Sequence, residues 1–425
     1  MASPPGATRT IIHVDLDAFY CAVEEKRDPS LRGTAFAVGG RADERGVVAS
    51  CSYAARRSGV RSAMAMGMAQ RLCPHLIVVP TRHSHYRAVS GGVMALLRSI
   101  TPQLEQLSID EAFLDVTELV GDGNEVTGRS LALEIQRRVW DELELSCSLG
   151  VASNKMVAKI ATDCGKATVS TGQSPRALCV VEAGTEADFL APLPVSALWG
   201  VGPKLEAKLK ELRIETIGDL AHWDERDLAH RFGKHGVDLA KHARGIDRRE
   251  VVTERETKSI SSETTFLQDV SEWETLHATL LEQAQSVSFQ LKKQKLQAST
   301  VKLKIRWSDF SFSTRQTTLL SSTDAAPAIE AAATTLLSKL WIGGEPVRLL
   351  GVGVSGLSLV RQLGLFDSVD EPEAVPEEIE EPEEIELDSY MDERRQRLQE
   401  TLSLLEARFG SAMVHLGAHP KHESH

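Results

Sequence analysis

Three acidic residues beside short apolar runs are the strongest chemical signal in this sequence. Asp15 lies in IIHVDLDAFY, and the adjacent Asp110 and Glu111 lie in LSIDEAFLDV. A β-strand can hold such carboxylates at fixed positions on the edge of a sheet. Mg²⁺ binds through few carboxylates and takes its other octahedral oxygen ligands from water and substrate phosphates. The three acids therefore predict magnesium-dependent phosphoryl transfer on a nucleotide.

Each acid also has an ordinary interpretation. An Asp after a strand is commonly a turn or a helix cap, and an Asp-Glu pair is commonly solvated surface. The apolar sequence around both sites favours metal binding, because an unpaired charge there is costly without a cation or another partner. Asp17 differs: it precedes AFYCAVEE, and we expect it to cap the N-terminus of a helix.

Five longer strings carry a family resemblance. They are DLDAFYCAVE, VVASCSYAARRSGVRSAM, SIDEAFLDV, SLGVASNKMVAKIATD and LWGVGPKLEAKLKELRIETIGDLA. Their order and spacing across residues 10–366 resemble the Y-family DNA polymerases, and most closely the bacterial DNA polymerase IV branch. Five ordered motifs are far more specific than any one of them. The resemblance implies template-directed, low-fidelity DNA synthesis past damaged bases, and no motif suggests a proofreading nuclease.

Two other functions share parts of this pattern. A noncatalytic polymerase-like adaptor would bind DNA and a clamp, but such relatives lose the acids that this chain retains. A nucleotide cyclase has a palm-type fold, but it would not need the DNA-holding motifs or the clamp-binding peptide. Primer extension compared with cyclic nucleotide formation separates these possibilities.

Alternating strand and helix patterns predict an α/β (α+β) multidomain fold. We expect strands at 10–17, 34–39 and 46–51 and helices at 18–26, 84–99 and 127–143. The resemblance implies a ferredoxin-like palm with small fingers, a helix-hairpin-helix thumb and a C-terminal α/β little finger. The expected boundaries are palm 1–26 and 81–172, fingers 27–80, thumb 173–245, linker 246–258, little finger 259–360, clamp-binding peptide 361–366, acidic disordered tail 367–390, and C-terminal helix and tail 391–425.

The resemblance also implies which residues hold two Mg²⁺ ions. Asp15 and Asp110 are expected to bridge both ions, and Glu111 to complete the site of the ion that activates the primer 3′-hydroxyl. The backbone carbonyl of Leu16 is expected to help hold the ion bound to the triphosphate.

A further group of residues implied by the resemblance contacts the incoming nucleotide. Tyr53 and Arg56 match residues that contact the β- and γ-phosphates, Ser50 belongs to the same segment, and Lys166 matches a third phosphate ligand. A phenol donor and cations can neutralise a triphosphate and the departing pyrophosphate. The chain departs from the family after Lys166, where Ala-Thr-Val replaces the usual Pro-Asn-Gly.

Tyr20 aligns with the bulky steric gate of the family. An aromatic ring under the nucleotide sugar would clash with a 2′-hydroxyl, so the resemblance predicts preference for deoxyribonucleotides. The alternative is a core position, because an aromatic residue near the start of an apolar helix is usually buried.

Two patterns predict DNA contacts. Gly200, Gly202 and Lys204 lie between amphipathic stretches, as in a helix-hairpin-helix whose backbone N–H groups approach a phosphate, and RFGKHG at 231–236 is either a similar contact or a helix C-cap. In VKLKIRW, apolar residues alternate with basic ones and give a strand with one cationic face. The basic residues of this strand are Lys302, Lys304 and Arg306, and Arg315 and Lys258 are further candidates for the same surface.

The segment after the last domain resembles the peptide that binds the bacterial sliding clamp. It consists of Gln362, Leu363, Gly364, Leu365 and Phe366, in which Gln makes polar contacts and the Leu and Phe side chains fill an apolar pocket. The alternative is a tail that packs on its own domain. Tethering to a clamp would supply the processivity that weak DNA binding lacks.

Charge explains why DNA binding is expected to be weak. The net charge is −12, but residues 367–390 contain twelve Asp and Glu and no Lys or Arg, and residues 391–425 contain five of each sign. Residues 1–366 are therefore neutral, so DNA affinity must come from local basic faces.

Composition places the chain in a reducing environment. Six cysteines show no zinc-binding spacing and no apolar stretch is long enough to cross a bilayer, so we expect a cytoplasmic protein, acting as a monomer.

Overall fold

The computed structural model describes residues 9–120, 126–169, 174–254 and 256–359. Its strands are β1 Ile11–Leu16, β2 Phe36–Gly39, β3 Val48–Cys51, β4 Ile77–Val79, β5 Leu104–Gln106, β6 Glu111–Asp115, β7 Cys147–Ala152, β8 Leu178–Val180, β9 Ser259–Val270, β10 Leu296–Trp307, β11 Phe312–Thr323 and β12 Val347–Leu359. Its α-helices are α1 Phe19–Arg27, α2 Tyr53–Arg57, α3 Met66–Leu72, α4 His83–Arg98, α5 Gly128–Leu143, α6 Lys155–Thr168, α7 Glu186–Leu190, α8 Pro203–Glu211, α9 Ile217–His222, α10 Glu225–Phe232, α11 Lys234–Ala243, α12 Trp273–Gln294 and α13 Ala326–Leu340. The predicted clamp-binding peptide, acidic tail and C-terminal helix lie outside the described residues.

The palm is built on a five-stranded sheet in the order β5-β6-β1-β7-β8. β1 is antiparallel to β6 and β7, and β8 is parallel to β7. Four strands of this sheet, β1, β5, β6 and β7, follow the βαββαβ connectivity of a ferredoxin-like fold, because α4 precedes β5 and α5 precedes β7. The predicted fold class is confirmed.

Both faces of the palm sheet are covered, which explains the nearly continuous apolar sequence of β1. Ile12, Val14 and Leu16 pack into one core with α1, α4 and α5, whereas Ile11 packs on the other face with α6. Because side chains alternate along a strand, Asp15 faces the α6 side together with Ile11.

The fingers contain a small sheet in the order β3-β2-β4 together with α2 and α3. This region has its own small core, which includes Ala37, Val48 and Met66. Phe36 and Val38 instead join the palm core, so β2 connects the two parts.

Helices α7–α11 form the thumb, and the segment after them lies against the palm. The carboxylate of Asp247 accepts from the Met156 N–H at 3.2 Å, and the Asn154 side chain donates to the Gly245 carbonyl at 2.9 Å. The Val252 N–H donates to Glu105 Oε2 at 3.0 Å. The predicted linker therefore lacks helix and strand in its described residues, but Asp247 and Val252 within it are fixed to the palm.

The little finger contains a four-stranded antiparallel sheet in the order β11-β10-β12-β9. α12 and α13 pack on one face, where Val301, Leu303 and Ile305 of β10 are completely buried. The other face lacks a helical layer among the described residues. The alternation predicted for VKLKIRW thus places its lysines on the uncovered face.

Candidate active site

The three acids meet where β1 ends and β6 begins. Asp15 is paired with Glu111 across the two strands, and the Leu16 N–H donates to the Asp110 carbonyl at 3.0 Å. Ser108 fixes the third acid, because its hydroxyl donates to Asp110 Oδ1 at 2.5 Å. Antiparallel pairing therefore brings together acids that are about a hundred positions apart in the sequence.

Helix α6 supplies a lysine to each of two acids. Lys166 Nζ lies 2.6 Å from Asp15 Oδ1, and Lys159 Nζ lies 2.9 Å from Glu111 Oε1. The two lysines are seven residues apart and share one side of the helix. The helix reaches this position because Gly150 of β7 has no side chain, since a Cβ there would lie 2.0 Å from the Ala158 carbonyl oxygen.

The Asp15 carboxyl is the most strongly perturbed acid of this group. Burial raises its pKa to about 7, and the nearby Glu111 and Asp110 add to this effect, although Lys166 opposes it. A buried carboxylate near two other acids is stabilised by an additional cation. The site therefore has the electrostatic character of a cation-binding site.

The expected cap role of Asp17 is wrong. Ala18 occupies the N-cap position of α1 in a left-handed conformation, and no side chain caps this helix. Asp17 is instead buried, and its carboxylate accepts hydrogen bonds from Ser146 (2.6 Å) and Ser148 (2.8 Å). It ties the end of β1 to β7, and its Oδ1 lies 3.7 Å from Lys166 Nζ.

One cleft of about 280 Å³ brings together most of the residues predicted to bind the metal ions and the nucleotide. Its walls come from both the palm and the fingers. They include Asp15, Leu16, Tyr20, Ser50, Arg56, Asp110 and Lys166. Glu111 is connected to this group through its pairing with Asp15.

Tyr53 begins α2 and lines an adjacent pocket. Its hydroxyl is buried and has no hydrogen-bond partner among the described residues, and Arg56 lies over its ring at 4.7 Å. Burial raises the pKa of Tyr53, so the hydroxyl remains a donor. An unsatisfied buried donor beside a cation suits an anionic ligand oxygen.

Tyr20 is part-buried at the cleft wall and stacks on Tyr86, with ring centroids 4.2 Å apart. Tyr86 is completely buried and donates to Glu24 Oε1 at 2.7 Å. Glu24 also accepts from Arg82 at 2.7 Å. The Tyr20 ring thus packs on the core and also borders the cleft, and its role as a steric gate stays a prediction.

The predicted helix-hairpin-helix loop precedes α8. Gly200 has φ +102°, which favours glycine, and Gly202 is the N-cap of α8 without any side-chain cap. Lys204 lies in the first turn of this helix. In RFGKHG, Gly233 both ends α10 and begins α11, so the C-cap interpretation describes its backbone geometry.

The basic residues predicted to contact DNA lie on different faces of the little-finger sheet. Lys302 and Lys304 lie on the uncovered face, and Arg306 shares it, with a buried Nε that lacks a hydrogen-bond partner among the described residues. Arg315 pairs with Leu303, whose side chain is buried, so it belongs to the helix-covered face. Arg315 is therefore removed from the proposed surface.

The structure also shows the state of the cysteines and of possible metal clusters and membrane helices. The six cysteines are free, with Cys164 and Cys179 part-buried and the others buried. Among the described residues, no group of three His, Cys, Asp or Glu side chains is already arranged as a metal-binding cluster, and two of the three strand-end acids, Asp15 and Glu111, are paired with lysines instead. No described helix is long and apolar enough to cross a membrane. The sequence patterns did not point to Lys159, although its seven-residue spacing from Lys166 could have done so.

Comparison with known proteins identifies the family. The impB/mucB/samB family matches residues 14–163, its C-terminal domain matches residues 257–365, and the helix-hairpin-helix motif of the IMS family matches residues 184–214. A solved Y-family DNA polymerase chimera has a TM-score of 0.73 at 27% identity, covering 82% of this chain and 99% of that one.

Individual relatives extend over nearly the same length. A DNA polymerase IV of Desulfatibacillum aliphaticivorans is 39% identical over 95% of both chains. One from Methanoculleus marisnigri is 42% identical over 82% of this chain and 95% of its own, and one from Halorhodospira halophila is 40% identical over 85% and 99%. The fold and its strand-end acids thus define a Y-family polymerase. Within this class, the chain belongs to the impB/mucB/samB family, in the DNA polymerase IV branch.

Proposed function

We propose that the cleft adds deoxynucleotides to a primer 3′-hydroxyl with the help of two Mg²⁺ ions. Family membership makes the chain a DNA-directed, translesion DNA polymerase, a metal-dependent nucleotidyltransferase that uses primer-template DNA and deoxynucleoside triphosphates. The observation that carries the residue assignment is the single cleft that joins Asp15 and Asp110 to the phosphate-binding candidates Arg56 and Lys166.

The acids fit the proposed metals chemically. Asp15 and Asp110 would help hold both ions, Glu111 would help hold one of them, and the Leu16 carbonyl would contribute an oxygen to the other. When bound, two such ions polarise the α-phosphate and lower the pKa of the attacking hydroxyl. The perturbed pKa of Asp15, raised to about 7 by burial, supports the need for an added cation. Substrate phosphates would complete the ligand set.

Lys166, Arg56, Tyr53 and Ser50 are proposed to hold the triphosphate. Lys166 is paired with Asp15 at 2.6 Å, and an incoming triphosphate offers it a competing anion. Arg56 supplies a second cation from the fingers, while the Tyr53 hydroxyl has no hydrogen-bond partner in the described part of the chain. Lys166 lies in α6 despite the missing Pro-Asn-Gly, and its side chain lines the cleft.

Tyr20 is proposed to exclude ribonucleotides. Its ring borders the cleft beside Asp110 and is held from behind by Tyr86. A fixed ring cannot move aside for a 2′-hydroxyl as readily as a mobile one. The proposed gate thus depends on a buried aromatic stack.

DNA would be held by two separate regions. Gly200, Gly202 and Lys204 would contact the backbone through the thumb, and Lys302 and Lys304 through the little finger, with Arg306 beside them. Phosphate contacts of this kind position a duplex without reading its sequence.

We further propose that Gln362, Leu363, Leu365 and Phe366 bind a bacterial-type sliding clamp and that the polymerase acts as a cytoplasmic monomer. These clamp residues lie outside the described part of the chain, so sequence alone supports their role. A Leu365→Ala, Phe366→Ala variant should lose clamp binding in a pull-down and clamp-stimulated synthesis, while basal extension stays unchanged.

The direct test is primer extension with and without Mg²⁺. The intact protein is compared with an Asp110→Ala, Glu111→Ala double variant, and with a Glu134→Ala, Asp141→Ala control that removes two exposed acids of α5. Extension should require Mg²⁺ and should disappear only in the first variant. Equal extension by both variants would overturn the residue assignment, and DNA binding without any extension would point to the adaptor.

A further inference from the structure

The uncovered face of the little-finger sheet, called the open face below, has two neighbouring cross-strand rows. In one row, Lys302 of β10 pairs with Gly353 of β12, which pairs with Ser261 of β9. In the next row, Lys304 pairs with Gly351, which pairs with Glu263. Paired residues of adjacent strands share a face. The two rows therefore differ in the residue that β9 contributes. The row of Lys302 contains the hydroxyl of Ser261, and the row of Lys304 contains the carboxylate of Glu263.

The carboxylate of Glu263 reaches across β12 to Lys304. Its two oxygens lie 2.9 and 3.0 Å from Lys304 Nζ, although a whole strand separates the two residues. Gly351 makes this reach possible, because a Cβ at that position would lie 2.7 Å from Glu263 Cγ. Within the described residues, Lys302 forms no ion pair, and its side chain is exposed.

We propose that Glu263 weakens the binding of DNA phosphates to the open face by holding Lys304. This inference rests on the proposed role of the open face in DNA binding. A DNA phosphate and the Glu263 carboxylate compete for the same ammonium group, so binding must break the existing pair or leave Lys304 unused. Lys302 has no such competitor among the residues that the structure describes. Glu263 is a positioning residue that acts through Lys304 and limits how tightly the polymerase holds DNA.

A fluorescent primer-template titrated at several salt concentrations tests this proposal. The Glu263→Gln variant keeps the side-chain size but removes its charge, and should bind about 3- to 10-fold more tightly at low salt. One added phosphate contact should also steepen the slope of log K against log salt by about 0.9. The matched control is Glu282→Gln, which makes the same charge change on an exposed position of α12. This control should leave the slope unchanged.

A second variant keeps both charges and breaks only their contact. Gly351→Ala adds a methyl group where Glu263 crosses β12, and should raise affinity in the same direction as Glu263→Gln. Gly353→Ala is its control, because it adds a methyl group two residues away, beside Lys302 and Ser261. In a Lys304→Gln background, Glu263→Gln should no longer steepen the salt slope. A purely structural role of Glu263 would not produce this dependence on Lys304.

Two failures can be distinguished. If Lys302→Gln leaves DNA affinity and salt slope unchanged, the open face does not contact DNA, and both the surface assignment and the inference fail. If Lys302→Gln weakens binding but Glu263→Gln fails to strengthen it, the surface assignment stands and the role of Glu263 is overturned.

Discussion

Lysine-carboxylate pairs in the palm and in the little finger have similar lengths but different surroundings. Lys155 lies 2.7 Å from Glu105 in the palm, and their side chains are 6% and 1% exposed. Lys304 lies 2.9 Å from Glu263 in the little finger, where the exposures are 34% and 39%. Water can replace a partner in the second pair but hardly in the first. The same chemical contact therefore fixes structure in one domain and leaves a charge exchangeable in the other.

The palm pair also explains how the linker is fixed. Glu105 Oε2 accepts both from Lys155 and from the Val252 N–H. Lys155 begins α6, the helix whose other lysines pair with the active-site acids. This buried group thus connects the helix behind the active site to the segment that leads into the little finger.

The largest effect on stability is expected when the buried pair is broken. Glu105→Gln would leave the Lys155 ammonium buried without its counter-charge, and should lower the free energy of unfolding by about 3–5 kcal/mol. Urea denaturation measures this change. Glu134→Gln is the control, since Glu134 pairs with Arg137 on the exposed side of α5. If Glu105→Gln lowers the free energy of unfolding no more than the control does, the contrast between buried and exposed pairs is contradicted.

A second prediction separates the two lysines of α6. Lys166 lines the cleft, whereas Lys159 holds Glu111 and is not among the cleft-lining residues. Removing one donor to a transition-state charge commonly lowers kcat by about 10²- to 10³-fold, and we expect a loss of this order in kcat/KM for Lys166→Met. Its KM for the nucleotide should also rise. Single-nucleotide kinetics compare it with Lys159→Met, and equal KM changes in both variants would remove Lys166 from the triphosphate site.

A third prediction concerns the pH dependence of stability at Glu24, whose carboxylate accepts a hydrogen bond from Tyr86, the residue whose ring stacks on Tyr20. Burial would raise the pKa of Glu24, but hydrogen bonds from Tyr86 and Arg82 outweigh this effect and hold it below its ordinary value of 4.5. The depressed pKa means that Glu24 stabilises the fold above pH 4.5 and loses this contribution as pH falls through the folded-state pKa. Glu24→Gln should be less stable by about 1–3 kcal/mol at neutral pH.

The pH dependence itself provides the check on Glu24. Denaturation of both proteins between neutral pH and acid should show the stability difference shrinking once the carboxyl is protonated. A difference that does not change with pH would show that shape, rather than charge, explains the effect.

Local sequence predicts the elements with strong periodicity. The expected strand at 10–17 and helices at 84–99 and 127–143 match β1, α4 and α5 to within one residue at each end. The short strands β4 and β8 have no such pattern, because each has three residues and is defined by pairing with β2 or β7. Strands of this length are too short to show a period, and their place in a sheet depends on distant partners.

The candidate active site could likewise be predicted only in part from the sequence. Its acids can be found from their apolar surroundings, but their partners depend on tertiary structure. Asp17 has the local sequence of a helix cap, yet Ser146 and Ser148 of a distant segment bind its carboxylate. The pairing of Glu263 with Lys304 likewise depends on β12 lying between their two strands.

The smallest effect is expected for stability at the open face. Exposed ion pairs contribute about 0.2–1 kcal/mol, so Glu263→Gln and Lys304→Gln should each change the free energy of unfolding by no more than about 1 kcal/mol. Lys302→Gln should change it less, because no ion partner is lost within the described residues. Urea denaturation of the three variants, measured beside Glu105→Gln, tests this order. A loss above 3 kcal/mol for Glu263→Gln would place its carboxylate among the structural charges of the protein. Such a result would remove the contrast between the two domains, since an exchangeable lysine cannot also be essential to the fold.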